Sequence, residues 1–535
     1  IAFYYGCDFA LYLSFNSVYT SYLMLLSFIG IIFYVLLFAV AGFSGLKDPY
    51  NNFLVPSYIL FVSIWVTIAY EKWAQREQEI SYIWNTLNFK QKLQTLPEYD
   101  GIYIIDTVTK GVRLQDPFPT RYRKIITNIP LIVIGLVLIV ANFFVFTFIN
   151  DEIKKKTDYD PEILKSVYEV SAGIANGAVI FIFSVLYNFI CIKAVAWENH
   201  RYWNTQNNSL VIKTFVFDFT LAYINLFYFA FVDKDFGLMA NNFISLMITK
   251  NILFNVKTNL VPYLIYLVRK RFMMRKWKEN RSLFKKQLLE EEGLTQYAIE
   301  ESSSNKKEKK KAKKLFESLD PLVQRKLLKM EKRLILHEQI ERTMIMSKLP
   351  DLRLVWTNYA IQFGYISFFS LVFPLAPLIG CLLNIVDLMF TYFALTDHIQ
   401  RKICLEQGSI GIWKYNFLLM SIISLFTNLG IIVFADQGFI DLLNKMGVPA
   451  DWQGDKFVII YLAIAEHIIF LVKFLLAVTI VDMPRWIREE IVQMENREEL
   501  DNEVTKRELL QIHNKRKMEK KYEEMKTGVL THFQG

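Results

Sequence analysis

The stretch IQFGYISFFSLVFPLAPLIGCLLNIVD, Ile361–Asp387, decides the fold. It is the middle of an apolar block running from 354 to 396, far longer than the roughly 20 residues a helix needs to cross a hydrocarbon core. Pro374 and Pro377 interrupt the block. Each lacks a backbone donor and clashes with the carbonyl four residues earlier, which excludes one straight helix. The block therefore predicts two membrane helices, 354–373 and 375–396, joined in a tight hairpin.

Outward from that hairpin, eight further runs have the length of a membrane span: 22–44, 53–71, 129–149, 173–196, 210–232, 238–268, 411–435 and 456–482. Composition agrees. Of the 535 residues, 53% are hydrophobic, 15% aromatic and 21% charged, which excludes a disordered, collagenous or small secreted chain. The expectation is an all-α polytopic membrane protein with ten transmembrane helices. Its parts are a pre-membrane amphipathic segment (1–21), helices one to six (22–268) with a linker at 72–128, a charged helical insertion (269–351), helices seven to ten (352–483) and a C-terminal helix (484–535). The start has no basic region or cleavage site of the signal-peptide kind.

Ten passes put both termini on one side, and the basic residues mark that side as cytosolic. Lys90, Lys92, Arg113, Arg121, Arg123 and Lys124 follow the second span, and Arg269, Lys270, Arg271 and Lys309–Lys311 follow the sixth. The loop before the tenth span carries Asp436, Asp441, Asp451 and Asp455, and should face outward. The formal charge of +9 thus reflects topology and points to membrane lipids, not nucleic acid. The insertion surrounds a Lys-rich flexible stretch, Ser302–Lys314. Cys7, Cys191, Cys381 and Cys404 lack metal or disulfide spacing and read as packing residues. No phosphate loop, hydrolase elbow or zinc motif is present, so neither an enzyme nor a cofactor is expected.

Polar groups inside spans mark packing or a pathway, because a charge at mid-membrane costs roughly 2.5 to 3.5 kcal/mol on insertion scales. The sixth span is richest. Asn251, Asn255 and Asn259 repeat every four residues on one face, while Lys250 and Lys257 share another. One reading lines a hydrated groove with these residues; the other spends the asparagines on interhelical hydrogen bonds. On the eighth span Asn384, Asp387 and Thr391 share a face, and Asp387 is the expected counter-ion of Lys250 or Lys257. In the tenth, Glu466 and His467 suit a dimer interface or structural packing. The cluster Trp197–Arg201 reads as a capping and anchoring network.

Several segments resemble the anoctamin family of calcium-activated chloride channels and lipid scramblases. The clearest is WENHRYWNTQNNSLVIKTFVFDFTLAYINLFYFAF, Trp197–Phe231, similar to that family's fourth-to-fifth-helix signature. In order, residues 4–20 (YYGCDFALYLSFNSVYT), Glu71–Trp84 (EKWAQREQEISYIW), Ile361–Asp387, GIW at 411–413, EHIIF at 466–470 and VDMPRWI at 481–487 resemble its other landmarks. The resemblance implies a homodimer of ten-helix subunits, each with a polar groove between helices three to seven, in which Lys250 matches a pore lysine. It also implies an N-terminal cytosolic domain, which these residues do not include.

The family's calcium ligands on helices six to eight carry over position by position. The sixth-helix amide is matched by Asn255, but the acid one turn later is Asn259. The two seventh-helix glutamates fall at Val355 and Asn358, the eighth-helix glutamate at Asp387 and its aspartate at Thr391. One carboxylate is left, where calcium takes six to eight oxygens with several anionic. The expectation is a protein not gated by calcium at that site, with no metal bound there. Two functions remain open. One is an ion channel, selective for anions, or a lipid scramblase. The other is a non-transporting structural or tethering homologue, with further membrane subunits as partners and the basic 270–350 segment gripping anionic membrane. A groove between the fourth and sixth helices packed shut by Phe and Leu would favour the second.

Overall fold

The computed structural model of the chain describes residues 2–44, 54–87, 95–105, 111–116, 118–157, 162–233, 236–291, 320–401, 407–435, 447, 449 and 455–532. Helix α1 spans Cys7–Ser44, α2 Leu54–Ile83, α3 Thr120–Thr157, α4 Glu162–Trp197, α5 Trp203–Tyr228 and α6 Phe236–Asn255. A π-helical turn at Val256–Leu260 carries α6 directly into α7, Val261–Glu291, and α8, Pro321–Ile345, packs back against α7. Then come α9 Leu352–Phe369, α10 Ala376–Asp397, α11 Ile412–Ala435, α12 Asp455–Thr479 and α13 Arg485–His532. Each expected span coincides with a helix: α1–α6 with the first six, the sixth running on into α7, and α9–α12 with the last four. This is the architecture of an all-α polytopic membrane protein.

By length and composition alone, among the described residues five helices are apolar enough to cross a membrane, within Cys7–Val40, Thr120–Glu152, Val167–Trp197, Trp203–Asp233 and Ala376–Asp397. Polar residues are more frequent in α9, and its surroundings show why that is tolerated. Arg353 and every residue of Val355–Phe369 are buried, so α9 has protein on all sides and needs no apolar coat. Around it, the Phe15 ring lies 4.9 Å from Trp356, 5.0 Å from Trp73 and 5.1 Å from Phe417, tying α1, α2, α9 and α11 together. Large apolar side chains such as Phe28, Phe144, Phe148 and Phe189 stay exposed on the outer faces, where lipid replaces water.

The hairpin at Pro374 forms as expected, with α9 ending at Phe369 and α10 starting at Ala376. Gly30 makes this possible, because a Cβ there would lie 2.3 Å from the Pro374 carbonyl oxygen. The Tyr58 hydroxyl donates to the same oxygen at 3.3 Å. Residues 7–21, read as a lead-in, are continuous with the first span in α1. The linker 72–128 holds an element the sequence reading did not anticipate. It is an antiparallel hairpin of β1 (Ile102–Ile105) and β2 (Val112–Gln115), with Ile102 opposite Gln115. Four-residue strands with both faces open carry too short an alternation to register as strands. Lys90, Lys92, Ser302–Lys314, Cys404, Asp436, Asp441 and Asp451 lie outside the described residues, while Cys7, Cys191 and Cys381 are free thiols.

At the basic end of the bundle the Trp197–Arg201 cluster is an anchor. Glu198, fully buried, pairs with Lys213 and accepts hydrogen bonds from Thr127 at 2.7 Å and Ser209 at 2.9 Å, with His200 Nε2 at 2.8 Å. Burial alone would push its carboxyl up, but hydrogen bonds from His200, Lys213 and Thr127 with the Lys213 charge outweigh it and hold it down at about 2. Asn199 adopts a left-handed φ of 54°, which aims its amide at the Asp100 backbone: its Oδ1 accepts at 2.9 Å and its Nδ2 donates at 2.7 Å. A capping network is thus what the cluster forms, joining α3, α4 and α5 to the linker.

Because the Glu198 carboxyl lies below its ordinary value of 4.5, its contribution to stability is complete above that value and lost as pH falls toward about 2. Replacing Glu198 with Ala leaves a buried lysine unpaired, an effect of about 3–5 kcal/mol. In detergent melts the variant should unfold at clearly lower temperature at pH 7, with the gap from wild type narrowing only in strong acid; an unchanged melt at pH 7 would contradict this assignment.

Candidate functional site

The site is built around the sixth span, and its shape starts from Pro262. In a regular helix the proline ring would clash with the carbonyl of Thr258 and deny it a donor. Thr258 lies inside the π turn Val256–Leu260, whose wider winding makes room for the ring. The Pro262 carbonyl is held by the Ser347 hydroxyl at 2.9 Å. This wide turn carries Lys257 and Asn259, so it sets where two of the expected site residues point.

The asparagines do share a face, and they bond to one another. Asn255 Nδ2 donates to the backbone oxygen of Asn251 at 3.2 Å and to its Oδ1 at 3.3 Å, and Asn259 Nδ2 donates to Asn255 Oδ1 at 2.9 Å. This ladder lines a cavity of about 590 Å³ between the sixth span and α10. Lys250 and Lys257 face a different cavity, of about 60 Å³, enclosed by α4, α5, α6 with its π turn, and α9. The sixth span is therefore polar on two faces with a separate cavity on each.

Asp387 is not the counter-ion of either lysine. It accepts hydrogen bonds from the hydroxyls of Tyr359 at 2.7 Å and Tyr12 at 3.1 Å, and Tyr359 in turn bonds to the Asn16 amide. The acid that shares their cavity is Asp218 of α5, which attracts both lysines electrostatically without a direct ion pair. The sequence reading looked to α10 because it paired polar stripes on neighbouring helices, whereas Asp218 is an isolated acid in an apolar run, FVFDF. Lys257 also lies 5.8 Å from the centre of the Phe181 ring, a cation–π contact.

Arg353 is a further residue that reasoning missed. Buried at the start of α9, it donates to Asn188 at 2.6 Å and Thr214 at 3.5 Å and pairs with Asp351 at 3.0 Å. Its signal was legible: Asp351 also caps α9 by accepting from the Arg353 backbone at 3.0 Å. With Arg353 paired to Asp351, two lysines and one buried aspartate, Asp218, this region holds more basic than acidic groups.

Of the six carried-over calcium positions, Asn259, Val355, Asp387 and Thr391 gather around one space of about 20 Å³. Asn255 belongs to the larger cavity and Asn358 to the basic one. The gathered set offers one carboxylate already engaged by two tyrosines, an amide, a hydroxyl and an apolar side chain. That donor set does not fit calcium, which takes six to eight oxygens. Among the described residues no group of three or more His, Cys, Asp or Glu is placed to hold a metal.

Above the basic cavity, α4 and α6 touch. A Cβ on Gly173 would sit 2.4 Å from Ser245 Cβ, and one on Gly177 would sit 2.9 Å from Thr249 Cγ2. Asn241 of α6 donates to Glu169 of α4 at 2.7 Å, and Asn225 of α5 donates to Asn176 of α4 at 3.3 Å. The closest contacts of the seam are between small residues, with the Leu246 side chain beside Gly177; the GxxxG spacing at 173–177 was its sequence signal. Glu466 and His467 lie at the outer surface of α12, where His467 Nδ1 contacts its own helix at Ala463 O, 2.7 Å away.

Comparison with known proteins agrees with this geometry. The model of the family described as Anoctamin: Calcium-activated chloride channel matches residues 1–494. Anoctamin-10 of Mus musculus is 25% identical over 499 residues, covering 92% of this chain and 65% of that protein. Anoctamin-10 of Homo sapiens is 25% identical over 495 residues, covering 92% and 64%, and Anoctamin-5 of Homo sapiens is 22% identical over 530 residues, covering 84% and 55%. The chain thus spans somewhat less than two thirds of the length of these relatives.

Replacing Asp387 with Leu strands two buried tyrosine hydroxyls, at a cost of about 1–3 kcal/mol. Asp387→Asn keeps an acceptor and should cost less. Thermal melts of both variants in detergent check the order, and a Leu variant as stable as wild type would show that the tyrosine–aspartate cluster contributes nothing.

Proposed function

The chain belongs to the anoctamin family, and from that premise we propose that it is a multi-pass transport protein, passing anions or lipid headgroups along the groove formed by α4, α5, the sixth span and α9, without gating by calcium at the family site. The observation that carries this reading is the basic cavity closed by a separable seam. A structural homologue has no need to keep two lysines and an aspartate buried at mid-bundle, where charge is costly. Gly173 and Gly177 against Ser245 and Thr249 form a contact that can part with little loss of apolar packing, unlike an interlocked aromatic plug. The net positive lining favours anions.

Calcium independence is supported by the donor set around Asp387. The tyrosine hydroxyls of α1 and α9 occupy that carboxylate, so the link between these helices that a dication could provide is already made by hydrogen bonds. We further propose that both termini are cytosolic, following the basic residues after the second and sixth spans, and that two copies pair through the outer face of α12 near Glu466 and His467. The alternative of a non-transporting tether draws on the basic helices α7 and α8.

Reconstitution of the full chain in liposomes, with fluorescent-lipid and halide-flux readouts, tests the proposal. Transport should be equal in calcium and in chelator. Gly177→Val should raise it by wedging α4 from α6, and adding Thr249→Gly should return it toward wild type. Lys250→Ala with Lys257→Ala should weaken anion preference. Activity in neither assay, for wild type and wedge variant alike, would favour the tether, and transport appearing only with calcium would refute calcium independence.

A further inference from the structure

The basic cavity accounts for one polar face of the sixth span, but not for the larger space on the other. That cavity of about 590 Å³ runs along the sixth span from Asn251 to Tyr263, with α10 as its opposite wall. Twelve residues at 1.5 Å each give about 18 Å, close to half of a hydrocarbon core of about 30 Å. Its depth is therefore that of one leaflet. Val386, Phe390 and Phe393 on α10 and Ile252, Val256 and Leu260 on the sixth span line it, each partly exposed at the outer surface, so it opens sideways toward lipid.

Its polar features converge. The asparagine ladder donates in one direction, from Asn259 to Asn255 to Asn251, leaving the Asn259 side-chain oxygen as its terminal acceptor. At the basic end lies His398, which is 4% exposed and has no hydrogen-bond partner for either ring nitrogen among the described residues. Its ring sits 5.2 Å from Tyr263 and 5.9 Å from Tyr266. Burial pushes the His398 imidazole down, against an opposing pull from Asp397, so the ring is neutral and offers one donor and one acceptor. The second side-chain torsion of histidine is broad, so a rotation presents either nitrogen to the cavity.

We propose that this cavity binds a neutral, hydroxyl-headed membrane lipid, its hydroxyl at His398 and its hydrocarbon between α10 and the sixth span. A hydroxyl both donates and accepts, matching a neutral imidazole. The lining contains no Lys or Arg, and its one charged group is Asp397, so a phosphate head would meet an acid and no cation. The volume falls in the ordinary range for a small-molecule site and suits a sterol or the chain region of a diacylglycerol. The site lies across the sixth span from the proposed groove and does not depend on the transport reading.

The test uses the full chain in phosphatidylcholine vesicles with photoactivatable cholesterol, photoactivatable diacylglycerol and, as the anionic arm, photoactivatable phosphatidylserine. One or both neutral probes should label peptides within 251–263 or 383–398. Leu383→Trp, which fills the cavity, should cut that labelling at least about tenfold, and His398→Leu should lower it by a similar factor through loss of the head contact. If His398→Leu fails to fold, the filled variant decides. Absence of labelling by both neutral probes, labelling undiminished in Leu383→Trp, or stronger labelling by the phosphatidylserine probe would overturn the proposal. Cholesterol labelling alone identifies a sterol site and diacylglycerol labelling alone a glyceride site. Because labelling is read without flux, its outcome is independent of the liposome assays.

Discussion

Hydrocarbon offers no hydrogen bonds, and the middle of this bundle is organised by that constraint. The sixth span, α9 and α10 carry lysines, an arginine, acids and amides that lipid cannot satisfy. The charged ones are turned toward protein, Lys250 and Lys257 toward the cavity of Asp218, Arg353 toward Asn188 and Asp351, and Asp387 toward Tyr12 and Tyr359, while the asparagines of the sixth span bond along their own helix. The remaining helices then serve as a sheath, with bare apolar outer faces and aromatic inner ones. That α9 is buried on every side follows from the same constraint, since it shares in the groups it must satisfy.

The polar pairs also divide the molecule into separate sites. Spacing along the sixth span turns its lysines and asparagines to different cavities, and the π turn next to Pro262 carries the last of each, Lys257 and Asn259. One cavity is basic and closed by a small-residue seam. The other is neutral and open sideways to lipid. Between them, Asp387 forms a tight cluster with Tyr12 and Tyr359, beside a small space that Asn259, Val355 and Thr391 also line. Hydrogen bonds from Tyr12 and Tyr359 to Asp387 thus tie α1, α9 and α10 together at this point.

The fold was legible because membrane solvation acts on each residue separately. Length and apolarity of a run are enough to mark a span, and Pro374 with Pro377 is enough to break one. Helix boundaries agreed for the same reason, as at Leu352–Phe369 and Ala376–Asp397. The small hairpin at 102–115 escaped because its strands are short and open on both faces.

The sequence by itself determined the ten hydrophobic rods, the basic marking of one side and the family. It also determined that the sixth span is polar on two faces, a consequence of spacing along one helix. The tertiary structure alone decided the partners. That Lys250 shares a cavity with Asp218 and not with Asp387, that Arg353 reaches Asn188 and Thr214, and that Gly173 and Gly177 lie against Ser245 and Thr249 depend on how helices far apart in the chain are turned toward each other. Periodicity gives the faces of a single helix, but which faces meet is set by packing the whole bundle at once.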